Sequence, residues 1–292
     1  MSIQASSKRL PPSLSSLSEL ARSIPNGASV AVPKDPSGVA MAATREMIRQ
    51  GVRDLHLITV PTAGIQAELL IGAGAIATIE TSAVTMGEFG PSPRFVAAVK
   101  AGTVKLLDAT CPAVYAALQA GQKGIPFIPL RGLLETDLLK MRSDDWKVID
   151  NPFNPGEPIV LLRALRPDVA LFHAPLADLF GNVFISRERE VLIMSQAAKR
   201  TFVTVEAITD ENLIEDQDRA GSTLPAIYVD KIALAPRGAW PIGLQDHYGL
   251  DEAEIARYMS MAKTQAGFDE YLRHWLGEPL VSPQLSPQFQ PA

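Results

Sequence analysis

The order of apolar runs and amphipathic stretches constrains this chain more than any other feature. Ala28 to Val32 is a short apolar run that reads as a buried strand. Ser37 then stands as a cap before Gly38 to Arg49, where Val39, Ala42, Ala43, Met47 and Ile48 share one helical face. Gly51 closes that helix as a C-terminal glycine, and Leu55, Leu57, Ile58 and Val60 make the next strand. Strands joined through a helix lie parallel, because a hairpin turn has no room for the crossover. Strands apolar on both faces need cover on both sides. The expected fold is therefore α/β: a mostly parallel sheet covered by helices.

The pattern persists downstream. Pro93 to Lys100 reads as a short helix ended by Gly102, Val104 to Leu107 as a strand, and Pro112 to Ala120 as a helix with proline in its first turn. Ile125 to Leu130 carries Pro126 and Pro129, as an edge strand or a strand end does. Arg131 to Glu157 reads as irregular, with turns at Asn151-Pro152 and Asn154-Pro155-Gly156. Ile159 to Leu162, Val169 to His173 and Phe202 to Val205 read as strands, and Arg187 to Lys199 as a helix. Two helices, Asp251 to Lys263 and Phe268 to Leu276, close the pattern. One domain over residues 1–280 is expected, with a loose arm at Met1 to Pro12 and a disordered Pro-rich tail over 281–292.

Charge and composition exclude several function classes. The chain holds 27 Lys and Arg against 32 Asp and Glu, a formal charge of -5, so no basic face for nucleic acid is implied. A single cysteine rules out an intrachain disulfide, and the four scattered histidines show no helical ligand spacing, so no metal is expected. Met1 to Leu20 lacks a signal-type apolar core, and Leu69 to Ala77 is too short to span a bilayer. A cytoplasmic protein without a membrane partner is expected.

Chemistry in a parallel sheet gathers where strands end. Ser37-Gly38 lies at a strand-to-helix turn, and reads either as an ordinary cap or as an anion seat. Met86-Gly87-Glu88-Phe89-Gly90 sets a carboxylate between glycines after Thr85; Glu88 is either a solvent-facing turn acid or a group close to ligand. Cys111 stands before Pro112 at a helix start, as a small packing residue or as an activated thiol. His173 ends an apolar strand, and Asp178 to Asn182 is a polar turn suited to positive φ at Gly181. Gly72-Ala73-Gly74 lacks the third glycine of a dinucleotide fingerprint.

The stretch Arg166-Pro167-Asp168 through Ala177-Asp178 and Gly181-Asn182 resembles the α subunit of family I coenzyme A transferases. Thr85 to Phe95 with Ala101-Gly102, Gln119 to Gly132, Ala197 to Glu206 and Asn212 to Glu215 are similar to further segments of that family, in the same order. Tyr248-Gly249-Leu250-Asp251 and the helices to Trp275 resemble glutaconate-type α subunits, and the related steroid ring-opening hydrolase has a similar ending. Two departures stand out. Val32-Pro33-Lys34-Asp35-Pro36-Ser37-Gly38 replaces the family's Gly-Gly-Phe turn, and Cys111 stands where the hydrolase places a glutamate.

The resemblance implies the coenzyme A transferase fold, a β-type partner in an α2β2 heteromer, and an acyl-CoA with a carboxylic acid as substrates. It implies no permanently bound cofactor. The nucleophilic glutamate is expected on the partner, with no catalytic residue on this chain. Ser37, Gly38, Thr85, Glu88 and Cys111 are expected to wall the substrate pocket. The rival readings are a CoA-thioester hydrolase or lyase subunit on the same scaffold, and a non-catalytic ligand-binding paralogue.

Overall fold

A computed structural model describes residues 13–277. The arm before it and the Pro-rich tail over 281–292 lie outside the described residues. The first half alternates regularly: β1 (Ser29–Pro33), α1 (Met41–Arg49), β2 (Leu55–Val60), α2 (Ile65–Gly72), β3 (Ile76–Thr81), α3 (Pro93–Ala101), β4 (Lys105–Asp108) and α4 (Cys111–Gln122). Three strands follow, β5 (Phe127–Leu130), β6 (Trp146–Asp150) and β7 (Pro158–Arg163). Then come β8 (Val169–Asp178), α5 (Arg189–Ala197), β9 (Arg200–Thr209), β10 (Lys231–Leu234), α6 (Glu252–Met261) and α7 (Gln265–Gly277).

The main sheet runs β10-β9-β8-β1-β2-β3-β4, with Ser13–Leu14 pairing outside β10, and every neighbouring pair on this path is parallel. Successive side chains of a strand point to opposite faces, and β8 shows it. Val169 and Leu171 enter one core with Ala43 and Met47 of α1 and Leu70 of α2. Ala170 and Phe172 enter the other with Val114 and Leu118 of α4 and Met194 of α5. Helices on both faces are what the continuous apolar runs required.

The chain winds to one side of β1 through β2 and to the other through β8. β1 and β8, the two central strands, pair only at Val169↔Val30 and Ala170↔Ala31, and then part. Such a reversal of winding leaves a crevice beyond the strand ends.

Three local expectations differ from the structure. Ser37 does not cap a helix. Asp35–Ser37 forms a 3-10 turn, Gly38 takes φ 86°, and α1 begins at Met41 without a side-chain cap. Gly38 is required there: an added Cβ would lie 2.1 Å from the His173 carbonyl oxygen, and the close approach lets the Gly38 carbonyl accept from the His173 N–H at 2.7 Å. Residues 131–157 are not wholly irregular. Trp146–Asp150 pairs antiparallel with β7, which pairs with β5, in a separate three-stranded sheet. Buried Arg142 ties that sheet to the main one. Its guanidinium stacks on Trp146 at 4.5 Å and donates to Glu80 on β3 at 2.6 Å and to the Asp108 carbonyl at 3.1 Å. Finally, Thr110 caps α4, accepting from the Ala113 N–H, so the helix starts at Cys111 with Pro112 inside its first turn.

The last two helices form a third core. Tyr258, Phe268, Tyr271 and Trp275 pack on Ile65 and Leu69 of α2. Gly72 permits this: a Cβ there would lie 2.3 Å from the Phe268 ring. The extra layer explains why α2 is buried on all sides, and it brings α6 alongside the crevice.

Candidate functional site

The crevice opens into a cleft of about 1110 Å³. Its walls come from the loop after β1 (Lys34 to Ser37), the loop after β2 (Thr62 to Gly64), the loop after β3 (Thr85 to Phe89), Glu188 ahead of α5, and the segment from Ile242 to Ile255. Three parallel strands thus deliver their C-terminal loops to one place.

Of the residues expected at the site, Ser37, Thr85 and Glu88 line this cleft. Gly38 lines a small indentation beside it, together with Phe172 and His173. Cys111 does not line the cleft; it is exposed at the start of α4, its Sγ 3.2 Å from the Ser82 hydroxyl. Thr85 and Glu88 are exposed on the cleft wall, where Glu88 sits in the 3-10 turn Gly87–Phe89 and the Thr85 hydroxyl accepts from the Gly87 N–H.

Ser37 is buried and belongs to a charged cluster. Its hydroxyl donates to Glu190 at 2.6 Å, and the Lys34 ammonium lies 3.0 Å from the same carboxylate oxygen. The hydrogen bond to Glu190 holds the Lys34 ammonium above its usual range. Burial pushes Glu190 upward, but the Ser37 and Lys34 bonds outweigh it and hold the carboxyl low. Neighbouring Glu188 goes the other way: burial, together with the charge of Glu190, raises it. Asp35 serves the fold. Its two oxygens accept from the Gly64 and Ile65 N–H groups and so cap α2 from a distant loop. Burial outweighs those two bonds and lifts its pKa to about 6.

The far wall rests on a buried network. Tyr248 lines the cleft, donates to Glu206 at 2.6 Å and accepts from the Ala239 N–H. Glu206 also accepts from the Arg237 and Gly238 N–H groups and lies 2.7 Å from His173 Nε2, whose Nδ1 meets Thr204 at 2.8 Å. Burial pushes Glu206 up, but His173 and its other donors hold it below the usual carboxylate range. His173 is thus a satisfied core histidine that locks one wall of the cleft.

Glu188, Tyr248 and Glu252 also line the cleft, and sequence reasoning missed all three. Glu188 and Glu252 read as ordinary residues at helix starts, and no spacing signal sets them apart. Tyr248 lies in the Tyr-Gly-Leu-Asp motif, but its role depends on Glu206, far away in the chain.

An open parallel sheet with a cleft at its switch point defines a ligand-binding α/β protein. Similarity to known proteins gives the family. The Coenzyme A transferase family model matches residues 15–235, and the chain belongs to that family. It is 33% identical over 251 residues to the A subunit of glutaconate CoA-transferase from Acidaminococcus fermentans, covering 80% of this chain and 78% of the relative. The solved glutaconate coenzyme A-transferase of that organism matches with a TM-score of 0.81 at 28% identity, over 90% of this chain and 88% of that one. A variant of the decarboxylase AibA/AibB matches with a TM-score of 0.79 at 32% identity, over 92% of this chain and 99% of that one. The cholesterol ring-cleaving hydrolase IpdA subunit of Rhodococcus jostii is 27% identical over 81% of this chain and 82% of its own length. Among the described residues no helix is long and apolar enough to cross a membrane.

Proposed function

We propose that this chain is the A-type subunit of a heteromeric acyl-CoA:carboxylic acid CoA-transferase, and that its cleft holds the acyl end of the substrate. One observation carries the reading. In a chain of the Coenzyme A transferase family, the C-terminal loops of three parallel strands converge on a cleft large enough for an acyl chain.

In this reading a glutamate of the β-type partner attacks the thioester carbonyl and CoA thiolate leaves, giving a mixed anhydride. The thiolate then attacks the glutamyl carbonyl, the donor acid departs, and a glutamyl-CoA thioester remains. The acceptor carboxylate repeats the sequence in reverse and carries CoA away. Dividing one displacement into several easier steps is what covalent catalysis achieves. Thr85 and Glu88 wall the cleft, Ser37 and Gly38 fix the inner turn, and Cys111 stands on the neighbouring rim. Backbone N–H groups of these turns stabilise the carbonyl oxygen as charge develops on it.

The test is co-expression with a β-type subunit, followed by CoA exchange between acyl-CoAs and short and medium acids, glutaconate included. Exchange, with inactivation by borohydride only after acyl-CoA is added, supports the reading. Absence of both complex and exchange overturns it and favours a non-catalytic paralogue. The likeness to a decarboxylase over nearly all of that chain favours a second reading, a lyase subunit. Carbon dioxide released from an acyl-CoA without any acceptor acid would mark it.

A further inference from the structure

Charge inside the cleft is lopsided. Four carboxylates line it, those of Asp35, Glu88, Glu188 and Glu252, against one ammonium, that of Lys34. That ammonium is already committed to Glu190, which also accepts from Ser37. Asp35 is engaged with two backbone N–H groups. Among the described residues, Glu88 and Glu252 have no ion-pair partner, and Glu188 faces Glu190 across the same cluster. Between these acids the wall carries the apolar side chains of Pro36, Ala63, Met86, Phe89, Leu244 and Ile255, beside the neutral polar groups of Thr62, Gln245 and Tyr248. Among the described residues the cleft therefore offers dispersion contacts, neutral polar groups and carboxylate charge, and no uncommitted cation.

We propose that this cleft selects acyl groups whose far end is apolar and uncharged, and that Glu88, Glu188 and Glu252 reject acyl groups ending in a second carboxylate. The inference rests on the cleft being the acyl site. The reacting carboxyl carbon faces the partner's glutamate, while the tail of the acyl group lies along the wall that carries Glu88, Glu188 and Glu252. An apolar tail buries its surface against Met86, Phe89 and Leu244. A carboxylate tail loses water and meets like charge with no counter-ion to receive it, which is how a site discriminates by repulsion.

The experiment uses the co-purified complex and two five-carbon thioesters, pentanoyl-CoA and glutaryl-CoA, with acetate as acceptor. The kcat/KM for pentanoyl-CoA is expected to exceed that for glutaryl-CoA by about 100-fold, the scale of like-charge rejection at an interface. Glu88→Gln with Glu252→Gln should shrink that ratio by about tenfold, and raising the salt concentration should narrow it further by screening. Both positions are exposed, so the paired variant folds; a circular dichroism melt confirms it. Equal or better use of glutaryl-CoA, or a ratio that neither variant nor salt moves, overturns the inference. If neither thioester is turned over, calorimetric binding of the same pair decides. A preference for pentanoyl-CoA in binding keeps the inference while the transferase reading falls; equal or absent binding sinks the inference as well.

Discussion

Asp178 and Glu188 flank the same short hairpin and meet opposite surroundings. Asp178 is fully buried at the end of β8. Its oxygens accept from the Phe180, Asn182 and Leu213 N–H groups and from the Asn182 side chain, all within 3.0 Å. Glu68 is handled likewise, accepting from the Arg94 and Phe95 N–H groups and the Tyr258 hydroxyl. At the cleft, Glu188 is half-buried beside another carboxylate, and Glu88 and Glu252 stand exposed. The same chemical group does two jobs. Where donors surround a carboxylate, it organises a turn or a helix start. Where donors are few, its charge remains available to act on a ligand.

Substitutions should break this contrast in a graded way. Asp178→Ala should be the most damaging, lowering stability by about 3–5 kcal/mol in urea unfolding, since each buried donor left unsatisfied costs about 1–3 kcal/mol. A loss under about 1 kcal/mol would erase the distinction. Gly38→Ala should come next, at about 2–4 kcal/mol, because alanine must adopt a left-handed backbone and press on the His173 carbonyl. The urea midpoint reads that too.

Asp35 tests the boundary between the two kinds of carboxylate, because it has donors and yet titrates high. Its folded pKa of about 6 lies above the ordinary 3.8, so the folded state holds the proton more tightly. Its contribution to stability is therefore fully present below about pH 4 and is lost as pH rises through about 6. Asp35→Asn should flatten the unfolding free energy in urea between pH 4 and pH 7, by about 2 kcal/mol over that window. An unchanged slope would show that another group carries it. Asp168 has the opposite sign. Burial raises it, but Lys199 and Ser29 prevail and hold it at about 2, so its stabilisation is present above about pH 4 and fades in stronger acid. The smallest effect belongs to Glu88→Gln, which should shift stability by less than about 0.5 kcal/mol while altering acyl selectivity. A large loss of stability there would make Glu88 a structural acid after all.

Much of the main sheet was legible in the chain. The alternation of apolar runs with helical faces announced β1, α1 and β2, and the run from Val169 announced β8. The small antiparallel sheet was only half legible. Ile125 to Leu130 and Ile159 to Leu162 read as strands, yet nothing local says that they pair with each other. Trp146 to Asp150 has only one buried side chain, Trp146, so it lacked the apolar run that marked the others. At the site, Ser37, Thr85 and Glu88 were readable because strand ends and glycine-flanked turns leave a local trace. Glu188, Tyr248 and Glu252 leave none.

Periodicity and turn chemistry are local, and they determined many of the strands and helices, and that the sheet is parallel and covered twice. The resemblance of ordered motifs pointed to the family. Only the tertiary structure decided where the winding reverses, which loops therefore meet, and which carboxylates find donors. Those outcomes depend on contacts between residues far apart in the chain, as between Asp35 and Gly64 or Glu206 and Tyr248. No window of sequence contains both partners of such a contact, so the balance of charge in the cleft appears only once the chain is folded.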